Sequence, residues 1–451
     1  MPIILTPGSD MANTRRKGVR ATGTNPGMSD GTTGGVLRHG PLVSPTRGTR
    51  LHGLVVAAAG FGINLALGVL YSWSVFSNAL SAEWGWTAAQ ASVPYSVAVA
   101  FFALVTAFAG RVQDRIGPRA VATAGGALLG LGMIVSSLAS PRTGLPLILG
   151  FGVLCGSGIA MGFIATFPAA AKWFPETRRG LVTGVVVAGF GIASVYIAPL
   201  TQALLASYGV QRTFLVLGAA FLVATVLLAQ LVTNPPPGYF PGPTPPPDVL
   251  EAQCPPTRRE LDWHEAVRTR QFWMLWLMYG LTAFAGVMII GHMAGIATAQ
   301  VPGPDLGFLL VAVLAVGNAS GRIGAGVLSD RIGSVRTMRY VFCIQAVVML
   351  LLAAAHSVAF LAALAFMVGF DYGSDLSLFP CTVSEYFGPS NQGVNYGLVF
   401  TSWGVGGVFG AMAAGAIADA TGSYLGAYVL AAVLCALAAV LTLFTRRPEP
   451  V

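Results

Sequence analysis

Apolar residues fill this chain in long blocks separated by short polar joints, and the blocks share a common length. A helix needs about 20 residues to cross the roughly 30 Å hydrocarbon core of a bilayer. Twelve blocks come close to that length: Leu54–Phe76, Ala88–Ala109, Ala120–Leu138, Leu147–Ala171, Leu181–Leu205, Phe214–Val232, Phe272–Ile296, Leu306–Leu328, Met338–Ala355, Val358–Val383, Val394–Ala418 and Tyr424–Phe444. The long polar gap "TNPPPGYFPGPTPPPDVLEAQCPPTRRELDWHEAVRTRQ", Thr233 to Gln271, is Pro-rich and ends in a short amphipathic charged stretch. It divides the blocks six and six. The expected fold class is an all-α polytopic membrane protein, with twelve transmembrane helices in two six-helix bundles. The expected organisation is a basic tail over 1–50, bundles over 51–233 and 271–445, a linker over 234–270 and a tail over 446–451.

Composition agrees with the pattern. The 451 residues are 55% apolar and 9% charged, with a mean hydropathy of +0.71 and 57 glycines; soluble chains carry roughly 25% charged residues. Small residues let membrane helices approach closely, which suits the glycine count. The tail carries Arg15, Arg16, Lys17 and Arg20 without apolar periodicity, so it predicts disorder. No apolar segment of the signal-peptide kind follows that basic run, and initiation nearer residue 50 fits the same pattern. The net charge of +8 lacks the aromatic-interleaved basic patch of a nucleic-acid binder. Four of the five cysteines, Cys155, Cys343, Cys381 and Cys435, fall in apolar blocks and Cys254 in the linker, and no spacing suggests disulfides or a metal site.

The excess of positive charge follows topology. Arg111, Arg115 and Arg119, then Lys172, Arg178 and Arg179, then Arg258, Arg259, Arg268 and Arg270, then Arg331, Arg336 and Arg339, and finally Arg446 and Arg447 fall on one set of joints; the opposite set holds Arg142 and Arg212. By the positive-inside rule, both termini and the linker are cytoplasmic in a cell membrane. Two of these joints repeat: "GRVQDRIGPR", Gly110 to Arg119, and "GVLSDRIGSVR", Gly326 to Arg336, stand 216 residues apart. "GIAMGFIATFPAAAKWF" (Gly158–Phe174) and "GFDYGSDLSLFPCTVSEYF" (Gly369–Phe387) make a second pair, so the bundles are pseudo-symmetric copies. In the repeated loop, Asp114 with Arg115 and Asp330 with Arg331 predict helix caps and ion pairs that latch the halves on the cytoplasmic side.

The duplicated G-x-x-x-D-R-x-G loop and the six-plus-six layout are similar to the signature of the major facilitator superfamily. "LYSWSVF" (Leu70–Phe76), "EWGWTAAQASVPYSV" (Glu83–Val97), "KWFPETRRGLVTGVVVAGFG" (Lys172–Gly191), "TRQFWMLW" (Thr269–Trp276) and "NYGLVFTSWGVGG" (Asn395–Gly407) resemble its oxalate/formate antiporter-like branch, which includes bacterial relatives of the monocarboxylate transporters. The resemblance covers about residues 50 to 445. It implies a secondary carrier of small carboxylates, acting as a monomer without a cofactor.

Charges inside membrane spans are costly, about 2.5–3.5 kcal/mol at the bilayer centre, and so mark candidate sites. Away from span ends there are four: Arg322, Asp371, Asp375 and His292. Arg322 stands one turn beyond Asn318 on the same helix face, where a guanidinium and an amide suit a carboxylate; the other reading is an arginine snorkelling to the interface. The resemblance implies the first, since carboxylate carriers of this branch place their binding arginine there. Counting from the same membrane face, Arg322 and Asp375 lie about 16 and 17 residues deep, at 1.5 Å per residue, so Asp375 is expected to face Arg322 and pair with it when no substrate is bound. Asp371 and Asp375 read either as proton carriers, as sites for a cationic or zwitterionic substrate, or as a structural ion pair. The branch more often has asparagine or a small residue here.

His292 is expected near the outer surface, as a gate or interface residue. By the resemblance, Tyr71 and Phe163 occupy positions of cavity tyrosines; Phe163 lacks the hydroxyl. Tyr372 joins them as a substrate-binding candidate, and Trp403 is either a cavity wall or a packing residue. Oxalate-exchanging members carry a second cation on the eleventh span, and Val394–Ala418 contains neither lysine nor arginine. One arginine balances one carboxylate, so the expected substrate is a monocarboxylate such as lactate, pyruvate or formate, with protons as coupling ions and the lipid bilayer as setting. Exchange, export of a cationic or hydrophobic compound, and a transporter-like sensor are the alternatives. An enzyme is not expected, because nucleotide-binding loops, metal clusters and catalytic triads are all missing from the sequence.

Overall fold

The computed structural model describes residues 47–236, 239, 241, 260–290, 292–301 and 307–447, all within one compact unit, Leu42–Val451. Of the tail expected over 1–50, residues 1–46 lie outside the described residues and Arg47–Arg50 form the first turn of a helix rather than a disordered segment; most of the Pro-rich linker with Cys254 and the last four residues also lie outside the described residues. Among the described residues, eleven helices are long and apolar enough to cross a membrane. One of them, Glu176–Ala229, is 54 residues long and folds back at Gly209, whose φ of 71° and ψ of 178° no helix contains. Twelve crossings result, in a multi-pass membrane protein.

Numbered in order, α1 covers Arg47–Leu67, tightens into a 3₁₀ turn at Gly68–Ser72 and resumes over Trp73–Trp84. The next crossings are α2 (Ala88–Ile116), α3 (Pro118–Ser136) and α4 (Leu145–Ala171), the last with a π-helical stretch at Ile148–Cys155. The two arms of the folded helix are α5 (176–208) and α6 (210–229). In the second half come α7 (Arg270–Ile290), α8 (Gly307–Ile332), α9 (Ser334–Leu351), α10 (Val358–Phe387), α11 (Gln392–Thr421) and α12 (Leu425–Phe444).

Two expectations need correction. The repeated "loops" are helical almost throughout: α2 and α8 continue to Ile116 and Ile332, and stop at Gly117 and Gly333, with φ of 91° and 89°. Side-chain-bearing residues rarely adopt that backbone, so glycine ends both helices abruptly. The seventh block, expected to continue to Ile296, breaks after Ile290 and restarts as a short helix, Met293–Gln300. The sequence places Gly291 and His292 there, both weak helix formers.

Large apolar side chains such as Phe108, Leu227, Phe409 and Leu443 stand exposed, as a lipid-facing surface requires. Lipid is as apolar as leucine, so helices in it associate by close packing more than by hydrophobic burial. Here the backbones meet at glycine. Gly317 and Gly321 of α8 lie against the backbone of Phe366 and Phe370 in α10, and Gly125 of α3 against Gly158 and Gly162 of α4.

The two halves meet along two equivalent seams. On one, α5 meets α8: a Cβ at Gly180 would crowd the Gly326 carbonyl, and one at Gly184 would overlap the Arg322 carbonyl. On the other, α2 meets α11: a Cβ at Gly393 would crowd the Gly110 carbonyl, and one at Gly397 the Thr106 carbonyl. Residue 106 precedes residue 322 by the same 216 positions that separate the repeated motifs. Gly184→Val is therefore expected to lower the midpoint of thermal unfolding in detergent by several degrees, an overpacking cost of about 1–3 kcal/mol. Gly407→Ala, whose nearest neighbour is Val287 Cγ2 at 3.7 Å, leaves that midpoint unchanged.

Candidate functional site

Arg322 projects from α8 into the seam with α5 and is fully buried, which removes the snorkelling alternative. Its Nε donates to Asn318 Oδ1 at 2.8 Å, one turn earlier on the same helix, and its Nη1 donates to the Val187 carbonyl of the opposite half. The Phe190 ring lies over the guanidinium with 5.7 Å between Cζ and ring centroid. Gly191 makes room for this arrangement, since a Cβ there would stand 3.1 Å from both Arg322 Nε and Asn318 Oδ1. Nη2 is buried with no hydrogen-bond partner.

Among the described residues no carboxylate is paired with Arg322; the ion pairs there include Arg179–Glu176, His264–Asp262 and Arg447–Glu385. Burying a cation without a counter-ion is costly. The site therefore has both a surplus charge and a free donor in one place.

Aromatic rings from both halves surround it. Phe190 contacts Tyr71 at 5.1 Å between centroids, and Phe102 and Phe163 at 6.0 Å each. Phe400 of α11 packs on Phe102 at 5.1 Å and stacks on Trp403 at 4.9 Å. Trp403 Nε1 donates to the Tyr372 hydroxyl at 2.9 Å. Six residues singled out in the sequence, Asn318, Arg322, Tyr71, Phe163, Tyr372 and Trp403, thus converge on one region. The sequence reading missed Phe102, Phe190, Phe400 and the Val187 carbonyl. Phe190 lay inside a motif already quoted, "KWFPETRRGLVTGVVVAGFG", but a backbone carbonyl carries no sequence signal.

The two acids do not join the arginine. In α10, Gly369 and Gly373 lie against Leu314 and Asn318 of α8. Each residue advances about 100° around a helix, so Asp371 and Asp375 project away from that contact, toward α7 and α12. There they interact with each other and with Cys435 of α12. Both are buried, and none of their carboxyl oxygens has a hydrogen-bond partner. The Thr282 hydroxyl stands beside Asp375 but donates to the Tyr279 carbonyl. The expected Arg322–Asp375 ion pair is not formed, because sequence depth matches the two residues in height but not in helix face.

At the end of the bundle that bears the repeated motifs, each aspartate bonds backbone of the opposite half. Asp330 accepts from the Gly180 and Leu181 N–H groups of α5, both at 2.8 Å, and Asp114 accepts from Gly393 and Val394 at the start of α11, at 3.3 and 2.9 Å. Gly393 and Val394 lie in the first turn of α11, whose orphan N–H groups and dipole favour a carboxylate, whereas Gly180 and Leu181 stand in the second turn of α5. Arg115 and Arg331 are exposed and form no ion pair among the described residues, so the expected ion-pair part of the latch is absent there. Near Asp114, burial lowers the pKa of the Lys172 ammonium, opposed by the charges of Asp114 and Glu260. A cavity of about 1030 Å³ opens at this end, lined by Lys172, Arg179, Asp330, Cys381 and Glu385 among others. At the opposite end, His292 begins the short helix Met293–Gln300, its ring 5.9 Å from that of Tyr424.

This architecture has known counterparts. The family model described as Major Facilitator Superfamily matches residues 53–352 and 296–451. The chain belongs to the major facilitator superfamily. It is 31% identical over 346 residues to an uncharacterized MFS-type transporter, YhjX, of Escherichia coli, covering 76% of this chain and 83% of that one. It is 30% identical over 362 residues to the oxalate:formate antiporter of Oxalobacter formigenes, covering 78% and 81%. Monocarboxylate transporter 13 of Rattus norvegicus is 29% identical over 383 residues, covering 84% and 85%. Among solved structures, the superfamily transporter FucP in its outward conformation superposes with a TM-score of 0.68 at 16% identity, over 88% of this chain and all of that one. That likeness concerns the fold alone. Fold and relatives are those of transporters rather than enzymes, and this member of the superfamily is a membrane transporter.

If the aspartate caps hold the motif-bearing end closed, Asp114→Ala combined with Asp330→Ala opens it. With Cys381 as the sole cysteine, maleimide labelling of that cavity-lining thiol is expected to run several-fold faster in the double variant. An unchanged rate means that the caps do not hold the halves together.

Proposed function

We propose that this transporter carries monocarboxylates by alternating access, with Arg322 as the anchor of the substrate carboxylate. The single observation behind the reading is the buried guanidinium with no acid partner and an unpartnered Nη2. A carboxylate supplies both the missing charge and the missing acceptor, and arginine binds carboxylates bidentately through two parallel N–H donors. α11 contains no lysine or arginine between Gln392 and Thr421, so charge balance favours one carboxylate over two. The names of the antiporter and monocarboxylate relatives support an organic anion.

Binding and motion are linked through Nη1. It donates to the Val187 carbonyl across the α5/α8 seam. A substrate carboxylate that takes both terminal nitrogens displaces that carbonyl and removes one tie between the halves. The aspartate caps, the motif-bearing end being cytoplasmic, then act as the latch of the rocking motion. The assigned setting is a monomer in the cell membrane, with both termini inside and the halves spanning 51–233 and 271–445.

Asp375, with Asp371 one turn away, is assigned the coupling proton. Two buried carboxyls with no cation partner call for a counter-charge, and a proton supplies one. Because they face into the second half, they act on the bundle rather than by touching the carboxylate. Exchange of one carboxylate for another is the second reading, favoured by the antiporter among the relatives.

In proteoliposomes with labelled monocarboxylates, Arg322→Gln is expected to reduce uptake about a hundredfold, as for removal of one partner of a buried charge pair. Asn318→Ala is expected to retain partial uptake. Unchanged uptake in Arg322→Gln removes the anchor. Asp375→Asn is expected to keep counterflow but lose accumulation driven by a pH gradient; if accumulation persists, Asp375 is not the proton site.

A further inference from the structure

The rings around Arg322 carry an inference about which monocarboxylates fit, and it rests on the anchor reading above. The two seams between the halves are built alike, with glycine facing backbone at equivalent positions, yet their chemistry differs. Where the α5/α8 seam holds Arg322, the α2/α11 seam holds Thr106, whose hydroxyl donates to its own helix at the Phe102 carbonyl. One turn before Thr106 stands Phe102, against which Phe400 and Trp403 pack. The space from the cation to the opposite seam is bridged by rings: Arg322 under Phe190, Phe190 against Phe102 and Phe163, and these against Phe400.

Polar capacity along that path is sparse. Asn318 Oδ1 is engaged by Arg322 and the Trp403 indole by Tyr372. Phe163 presents a ring edge to Phe102 and no hydroxyl. The Tyr71 and Tyr372 hydroxyls remain, with Tyr95 close to both, while the Tyr396 hydroxyl beside Phe400 is paired with that of Tyr279. The rings close on one another across the halves, with Phe102–Phe400, Phe102–Trp403 and Phe163–Phe400 centroids at 5.1, 5.6 and 5.9 Å.

A ligand entering beside Arg322 has to part those cross-half ring pairs. Formate or lactate, having parted them, leaves ring faces against water or empty space. A planar apolar group inserts between the rings and restores edge-to-face and offset contacts, which are the favoured geometries of aromatic pairs. We infer that the site prefers arylalkyl monocarboxylates, with the carboxylate on Arg322 and the aryl group reaching across Phe163 and Phe190 toward Phe102 and Phe400.

The test is calorimetric titration of the full-length chain in detergent with formate, lactate, phenylacetate and 3-phenylpropionate, and with 3-phenylpropionamide as the uncharged control. The expected result is a Kd for the aryl acids at least tenfold below those of formate and lactate, about 1.4 kcal/mol, with the amide silent. Formate or lactate binding as tightly as the aryl acids overturns the inference while leaving the anchor intact. An amide that binds like its acid, or Arg322→Gln protein that still binds the acids, overturns the anchor reading itself. If none of the acids binds, both fail. A second arm uses Phe163→Tyr, which keeps the ring and adds a hydroxyl; it is expected to narrow the gap between lactate and 3-phenylpropionate at least threefold, and an unaltered ratio counts against the aryl path through Phe163.

Discussion

The arrangement of the two halves turns on one constraint: a guanidinium held inside an apolar bundle needs hydrogen-bond acceptors from whatever lies nearby. Arg322 takes one acceptor from its own helix, Asn318, and one from the opposite half, the Val187 carbonyl. Because Val187 sits mid-helix, its carbonyl is already engaged in the α5 ladder, so it offers only a second lone pair. That contact is a stopgap, and Nη2 has no partner at all. The glycines at 184 and 191 exist at this level of the seam because the helix bearing such a side chain has to approach backbone to backbone. A stopgap acceptor is also an exchangeable one, which makes the charge usable.

Duplication supplied the moving parts and asymmetry supplied the chemistry. Both copies keep the aspartate cap, the glycine that stops the helix, and the glycine pairs along the seam. On the alternating-access proposal, these shared features are the parts that rock together. Thr106 and Arg322 occupy the same place in the repeat and have no chemistry in common. On the proposed anchor role, one substrate carboxylate calls for one arginine, and the other seam is free to be aromatic.

Much of this was legible in the chain. Twelve blocks of bilayer length specified the crossings, because hydrocarbon thickness leaves little freedom, and the pair of G-x-x-x-D-R-x-G motifs marked the repeat. Arg322 and Asn318 were legible because an arginine is conspicuous in an apolar block. The reach of α2 and α8 through their charged ends was not, since polarity there reads as loop while the backbone is still helical up to Gly117 and Gly333. Nor was the separation of Asp375 from Arg322. Depth follows from counting, but azimuth depends on which face of α10 packs on α8, and the sequence does not label that face until the glycine contacts are known. Phe102, Phe190 and Phe400 were hidden for a simpler reason: phenylalanine in a membrane block is the expected residue.

The position of the acids bears on how a proton and an anion interact in such a carrier. Were Asp375 paired with Arg322, the two ions would compete for one site, and substrate would have to expel a carboxylate before binding. Here the acids lie on another face of α10, next to α7 and α12, while Gly369 and Gly373 of the same helix press on α8 at Leu314 and Asn318. α10 is thus in contact with the arginine's supporting asparagine on one face and carries the acids on another. If Asp375 and Asp371 hold the proton as proposed, a change in their charge acts on how α10 sits among α7, α8 and α12, and that position reaches Asn318, whose backbone meets Gly373 with no side chain between. On the proposed proton role, coupling runs through helix packing rather than through a shared site, and the close contact at Gly373 is the element that carries it.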